Sequence, residues 1–319
     1  MHCSNKRGYF MGRYVLAVLA VAATFAFALW AGATENGFGR YIPGVFAGPA
    51  SEIVPPVPGF YWQHSTFYYT ASARKDLKIP MGRNISTKLE TDFFSTTFTG
   101  VWVPEWTPGK NLNVALGLSL PIQYLRVKGN LGRFSETDHS GGLGDIMVTS
   151  ALGWHDGPQL ASVFMNVYLP TGPYDSSALA NIGMNYWTFT PGLAYAYINP
   201  EAHIDFSFTG GVDINTRNNS TDYRSGAMAH ADAALLRTFE NGLGIGVFGG
   251  ILYQISDDQG ALAEELGGLK GRSFAIGPMI KYTGKTQHDV TATLNWAPEF
   301  GVKNRLEGNA WYLNLTAHF

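Results

Sequence analysis

The chain has 319 residues, a formal net charge of −2 and only 14% charged side chains, where soluble domains usually carry about a quarter. Its 14% aromatics and 38 glycines exclude a disordered, highly charged chain, and no basic excess argues for a nucleic-acid partner. After residue 33 no apolar run approaches the roughly 18 residues of a spanning helix, which leaves a large exported β-protein or a membrane β-barrel.

Lys6, Arg7 and Arg13 precede the apolar run 14–30, which ends at Ala31-Gly32-Ala33. A basic start, an apolar core and an A-x-A-like site predict a secretory signal peptide over 1–33, with Met1 or Met11 as the start. An anchor helix is the alternative, opposed by those small residues and by the Gly/Pro-rich sequence that follows. The single cysteine, Cys3, lies inside the signal. The mature chain therefore relies on no disulfide, unlike exported domains that lack a sufficient core.

Residues 34–58 are crowded with glycine and proline and show no periodicity, yet they carry Phe38, Tyr41, Ile42, Val45, Phe46, Ile53 and Val54. Exposed, these side chains would mark an interaction site, and the Gly/Pro content excludes a long regular strand. A barrel of twelve strands encloses more space than side chains fill, since about eight already close on a packed core. The segment is therefore expected to enter the periplasmic side of a lumen as a plug or gate, with Arg40, Tyr41 and Phe46 at the gate. Arg40 would pair there with an acid such as Asp205, Asp232 or Glu299. A flexible periplasmic tail is the alternative.

From residue 59 onward, segments of alternating polarity are separated by turn signals, and none of comparable length shows a 3.6 period. Twelve strands are predicted, at 59–71, 88–103, 111–125, 143–155, 159–170, 185–198, 202–215, 222–238, 243–255, 271–283, 287–299 and 308–319, with ten or fourteen as alternatives. Short connections (104–110, 156–158, 199–201, 240–242, 284–286) alternate with longer or more polar ones (72–87, 126–142, 171–184, 216–221, 256–270, 300–307). Outer-membrane barrels sort their loops this way, with short periplasmic turns and an even strand count. The fold class predicted for residues 59–319 is an all-β, antiparallel transmembrane barrel with both termini periplasmic. A β-sandwich with a solvated face is the alternative.

Successive strand side chains point to opposite faces. Leu112, Val114, Leu116, Leu118 and Leu120 oppose Asn113, Ala115, Gly117 and Ser119; Ile204, Phe206 and Phe208 oppose Asp205, Ser207 and Thr209. Parity assigns Asp205, Asp213, Asn215, His230, Asp232, Asn295, Glu299, Asn314 and His318 to a polar lumen. The first and fifth strands are apolar on both faces, so parity is ambiguous there.

The chain ends on Phe319, with Trp311, Leu313, Leu315 and Ala317 at every second position before it. Such a terminal strand is expected to address the barrel-assembly machinery of the outer membrane. Trp and Tyr gather near strand ends (Trp102, Trp106, Trp154, Trp187), as girdles at the lipid headgroups do.

Gly37-Phe38-Gly39-Arg40-Tyr41-Ile42-Pro43-Gly44, Gly142-Leu143-Gly144-Asp145-Ile146, Pro170-Thr171-Gly172-Pro173-Tyr174, Asn185-Tyr186-Trp187-Thr188-Phe189-Thr190-Pro191 and Thr221-Asp222-Tyr223-Arg224-Ser225-Gly226 together resemble the meta-pathway phenol-degradation family of outer-membrane barrels. The resemblance covers nearly the whole mature chain. It implies an outer-membrane location, contact with membrane lipids, and passive passage of small hydrophobic or aromatic solutes, akin to toluene and fatty-acid channels.

Gly244-Ile245-Gly246-Val247-Phe248-Gly249 fits G-x-G-x-x-G, but no helix follows, so a small-residue strand is the reading and no nucleotide is expected. No H-E-x-x-H, C-x-x-C or acidic calcium loop occurs, so no metal and no other cofactor is expected. The alternatives to a channel are a structural or adhesive barrel, or a barrel hydrolase using His230 and Asp232, which share a face with each other.

Overall fold

The computed structural model describes residues 39–48, 51–78, 84–131, 134–265, 268–284 and 290–319. The signal peptide expected over 1–33 and Phe38 of the following segment lie outside the described residues. Thirteen strands form one antiparallel sheet: β1 Gly59–Lys78, β2 Asn84–Val103, β3 Leu112–Leu131, β4 Phe134–Leu143, β5 Met147–Asp156, β6 Gln159–Tyr168, β7 Thr188–Asn199, β8 Ile204–Asn215, β9 Met228–Thr238, β10 Leu243–Gln254, β11 Arg272–Thr283, β12 Thr291–Lys303 and β13 Glu307–His318. β1 pairs with β13, and β2 joins β3, so twelve strands close into a barrel. The remaining strand, β4, pairs only with the outer half of β3, while β5 takes the inner half of the same edge.

A strand of twelve residues is about 40 Å long at roughly 3.3 Å per residue. Tilted by about 45°, it matches an apolar band of around 25 Å. The outward faces supply that band: Leu116, Leu118, Leu120 and Ile122 on β3, Ile245, Val247 and Ile251 on β10, and Leu294, Trp296, Trp311 and Leu313 on β12 and β13 are all exposed. Their inward neighbours are polar or small, and many of them are buried. The polarity is therefore inverted relative to a soluble domain: apolar side chains cover the outside because the outside is lipid.

Two stretches differ from the sequence expectation. Residues 72–87 and 126–142, expected as loops, are largely strand: β1, β2 and β3 each run for 20 residues. Arg126, Lys128 and Asn130 alternate with Leu125, Val127 and Gly129 in a period of two, but above the membrane the outward face is wet. A polar outward face in a β-ribbon then has the composition of a loop. The expected start of β9 at 222 also moves, to Met228, because residues 216–227 are tied into the outer loops, with Arg224 N donating to Gln259 O at 2.9 Å and the reverse bond also 2.9 Å. Among the described residues the only helix is the turn Ala261–Glu265 in the loop between β10 and β11.

The C-terminus lies at the periplasmic rim, where Phe319 and Phe60 exchange backbone hydrogen bonds of 2.9 and 3.2 Å. Residues 39–48 and 51–58 run along the lumen between its two ends. Asn113 Nδ2 donates to Pro56 O at 3.1 Å near the periplasmic side, and Arg40 reaches Tyr186 and Thr188 at the outer end. The described part of the segment thus begins at the outer mouth with Arg40, and the mature N-terminus expected at Thr34 lies outside the described residues. Short-range sequence pattern cannot reveal this, since the segment has no regular structure of its own.

Candidate functional site

Two carboxylates hold the inner segment, and Asp232 takes its backbone. Pro43 and Gly44 make a tight turn, with Val45 N donating to Ile42 O and Ala47 N to Gly44 O, both at 3.2 Å. Gly44 has φ +100°, and a Cβ there would lie 2.8 Å from the Phe248 ring and 3.2 Å from that of Tyr312, so only glycine fits. The turn aims two amides at β9: Asp232 accepts from Gly44 N at 2.8 Å, from Phe46 N at 2.8 Å and from the Tyr41 hydroxyl at 2.6 Å. Gly250 on neighbouring β10 provides the clearance, since a Cβ there would fall 2.7 Å from Gly44 N. Tyr41 stacks on His230 at 4.3 Å, and Phe46 lies over the same imidazole at 5.7 Å. Burial pushes the Tyr41 hydroxyl well above its ordinary pKa, aided by the Asp232 charge, so it remains a donor.

Arg40 takes a different acid from those expected. Its guanidinium donates to Asp145 at 2.7 Å, to Tyr186 O at 3.0 Å and to Thr188 Oγ1 at 3.1 Å, and lies 4.9 Å over the Tyr168 ring. Asp145 also accepts from Gly172 N and Met184 N at 2.8 and 2.9 Å. One carboxylate therefore joins the inner segment to both ends of the loop between β6 and β7. Parity could not find Asp145, because it sits in the break between β4 and β5. The signal was present only as the unassigned motif around it.

The three acids proposed for Arg40 are engaged elsewhere. Asp205 forms an ion pair with Lys281 across the periplasmic end of the lumen. Asp232 holds the segment backbone. Glu299 accepts from the Tyr69 hydroxyl and Ser273 Oγ, both at 2.5 Å, and from Gly308 N at 3.0 Å. Asp213 accepts from Thr190 at 2.7 Å and faces His230 Nε2 at 3.3 Å; Asn215 accepts from Thr188 at 2.8 Å. Asn295 Nδ2 reaches Gly44 O at 3.5 Å, Asn314 Nδ2 donates to Thr293 at 3.3 Å, and His318 stacks on Tyr61 at the periplasmic rim. Of the parity-derived residues, Asp232 and Asn295 bond to the inner segment and His230 stacks against it, whereas Asp205, Glu299 and His318 bond or stack within the barrel wall and Asn314 lines the cavity described next.

One side of the lumen is open. A cavity of about 590 Å³ lies between the inner segment and the wall of β1, β2, β3, β5 and the end of β13. Its outer end is aromatic and aliphatic: Phe67 meets Phe93 edge-on at 5.6 Å and stacks on Tyr312 at 4.8 Å, while Leu125 packs with Ile182 of the inward-folded loop between β6 and β7. Below lies a belt of uncharged polar side chains, Ser65, Ser95, Thr97, Thr99, Ser119 and Gln123, and the segment offers Val45, Phe46 and Ile53. The charged residues on the lining are Arg40 and Asp145, which neutralise each other, and Glu52. Sequence reasoning missed this side. β1 reads as apolar on both faces because aromatic residues serve both lipid and lumen.

The triad chemistry considered for His230 is not assembled. Its Nε2 faces Asp213, and among the described residues Nδ1 has no hydrogen-bond partner, while Asp232 is saturated by the segment. A hydrolase needs a hydroxyl in contact with that base.

The family model described as "Putative MetA-pathway of phenol degradation" matches residues 74–315. The chain belongs to this family. Comparison with curated protein sequences gives no match. Among solved structures, the COG4313 outer membrane channel from Pseudomonas putida F1 is similar over 88% of this chain and 100% of its own, with 14% identity and a TM-score of 0.65. A FadL homologue from Pseudomonas aeruginosa covers 89% and 97% at 8% identity, TM-score 0.46, and the CymD monoaromatic hydrocarbon channel 91% and 97% at 8% identity, TM-score 0.42. The first likeness establishes a shared outer-membrane barrel fold, and with the lipid-facing band it places this family member in the bacterial outer membrane.

Proposed function

We propose that the protein is an outer-membrane channel for passive uptake of small hydrophobic or aromatic compounds, with residues 34–58 acting as its plug or gate. One observation carries the reading: the closed barrel contains a cavity whose surface is mostly apolar, with aromatic rings at its outer end. A purely structural or adhesive barrel has no use for such a space, and a conduit for ions would be lined by rings of charge. Pockets of about 300–1,000 Å³ with a few polar groups suit small organic guests. The Pseudomonas putida F1 protein of the same fold is itself described as an outer membrane channel.

In this reading a solute leaves water at the aromatic outer end, exchanges its hydration for ring contacts and wall hydroxyls, and moves on as the inner segment yields. No covalent step occurs, and catalysis is not part of the proposal. Export by residues 1–33 and insertion guided by the strand ending at Phe319, whose ring is exposed, belong to the same proposal. Deleting the gene in a host that grows on an aromatic compound should slow growth at low substrate concentration. A plasmid copy should restore it. Equal growth with and without the protein would refute the channel.

A further inference from the structure

Two features of the cavity are unusual for a path that only has to pass hydrocarbon. The first is the belt Ser65, Ser95, Thr97, Thr99, Ser119 and Gln123, contributed by inward positions of three adjacent strands. Its internal bonds run along the wall: Thr99 to Ser119 at 2.8 Å, and Gln123 to Ser95 at a long 3.5 Å. A hydroxyl oxygen has two acceptor lone pairs and a rotatable donor, so bonds along the wall leave each oxygen able to serve a guest. A bare hydrocarbon crossing this belt would strip hydroxyls of solvent without replacing it, which costs about as much as an unmade hydrogen bond. A ring bearing hydroxyl or amino groups replaces it.

The second feature is Glu52. It lies on the inner segment and lines the cavity across from the belt, touched by Asn166 Nδ2 at 3.3 Å. Arg40 and Asp145 cancel each other at 2.7 Å, so Glu52 sets the sign of the field inside. An organic anion entering this partly dry space meets a like charge with little water to screen it.

Resting on the channel reading, we propose that the cavity selects uncharged arenes carrying hydrogen-bonding substituents over both bare arenes and arene carboxylates. The belt hydroxyls recognise the substituents, and Glu52 turns anions away.

The test is initial uptake at pH 8 of labelled catechol, toluene and benzoate by cells of a porin-deficient Gram-negative host, with the vector as baseline. The variants are Ser95→Ala/Thr97→Val/Ser119→Ala and Glu52→Gln, each checked for barrel folding by heat-modifiable gel mobility. Wild type should carry catechol fastest. The triple variant should lose about five-fold of catechol uptake, the factor expected for one neutral hydrogen bond, and leave toluene uptake unchanged or higher. Glu52→Gln should raise benzoate uptake relative to catechol uptake in the same cells, a ratio that any change in docking of the segment, acting on both solutes alike, does not move. Toluene crossing as fast as catechol, a triple variant that slows all three solutes alike, or unchanged benzoate exclusion in Glu52→Gln overturns the selectivity and leaves the channel standing. No protein-dependent uptake of any of the three overturns both.

Discussion

Asp232→Ala isolates what holds the inner segment in place. The carboxylate accepts three hydrogen bonds from the segment, at 2.6, 2.8 and 2.8 Å. Each hydrogen bond to a charged group is worth about 1.5–3 kcal/mol. With allowance for the non-additivity of contacts sharing one group, removing all three should weaken docking by roughly 4–6 kcal/mol. That raises the undocked fraction by on the order of 10³–10⁴. Asp232→Asn keeps one good acceptor and should fall between, near 2 kcal/mol, or roughly thirty-fold.

Trypsin reports this directly. In the docked state the Arg40 side chain is 7% exposed and ion-paired, so cleavage after Arg40 requires undocking, and its rate tracks the open population when reclosing is fast. Wild type, Asp232→Asn and Asp232→Ala should therefore be cut at Arg40 in rising order while the barrel keeps its heat-modifiable mobility. Openings in planar-bilayer recordings should increase in the same order. If Asp232→Ala is cut no faster than wild type with the barrel intact, the carboxylate does not hold the segment, and the apolar contacts of Tyr41, Ile42 and Val54 do.

Three further outcomes follow from the same contacts. Burial raises the Glu52 pKa from 4.5 to about 7, partly opposed by Asn166 and by the nearby His230. Docking should therefore be strongest below about pH 4.5, weaken by up to about 3 kcal/mol as pH rises to 7, and stay flat above. Tryptic cleavage after Arg40, corrected for the enzyme's own pH profile, should show that contribution, and Glu52→Gln should remove it. Asp145→Ala leaves Arg40 unpaired and frees the amides of Gly172 and Met184. Breaking such a buried pair costs about 3–5 kcal/mol, and the loop between β6 and β7 should become protease-sensitive within an intact barrel. Gly44→Ala places a methyl 2.8 Å from the Phe248 ring at φ +100°. Its expected cost of about 1–3 kcal/mol should appear as faster cleavage at Arg40, and unchanged protection would show that the turn is not tight.

The barrel was legible because lipid and lumen impose opposite demands on alternate residues, and that alternation survives in single strands such as β8 and β13. The protruding ends of β1–β3 were not legible, since their outward face is wet and their composition becomes that of a loop. On β8 and β9, parity found Asp205, Asp213, His230 and Asp232, because a charge in a membrane strand has only the lumen to face. It could not say which of these would meet the segment. That depends on where an irregular chain turns, and Gly44 and Gly250 become informative only once both are seen at one contact.

The two sides of the lumen perform different tasks, and the residues divide accordingly. On the β7–β13 side the acids and His230 are buried by the segment or by each other, and a solute cannot reach them without displacing it. On the β1–β3 side the wall is aromatic and hydroxylic, with no charge of its own. A charge on a solute-facing wall would have to be dehydrated at each passage or would trap ions, whereas a charge under the inner segment is neutralised once, on folding. Asp232 illustrates the consequence: the carboxylate that parity places in the lumen binds the chain's own backbone. Selection is left to Ser65, Thr97 and their neighbours, which no charge-based reading of the sequence singles out.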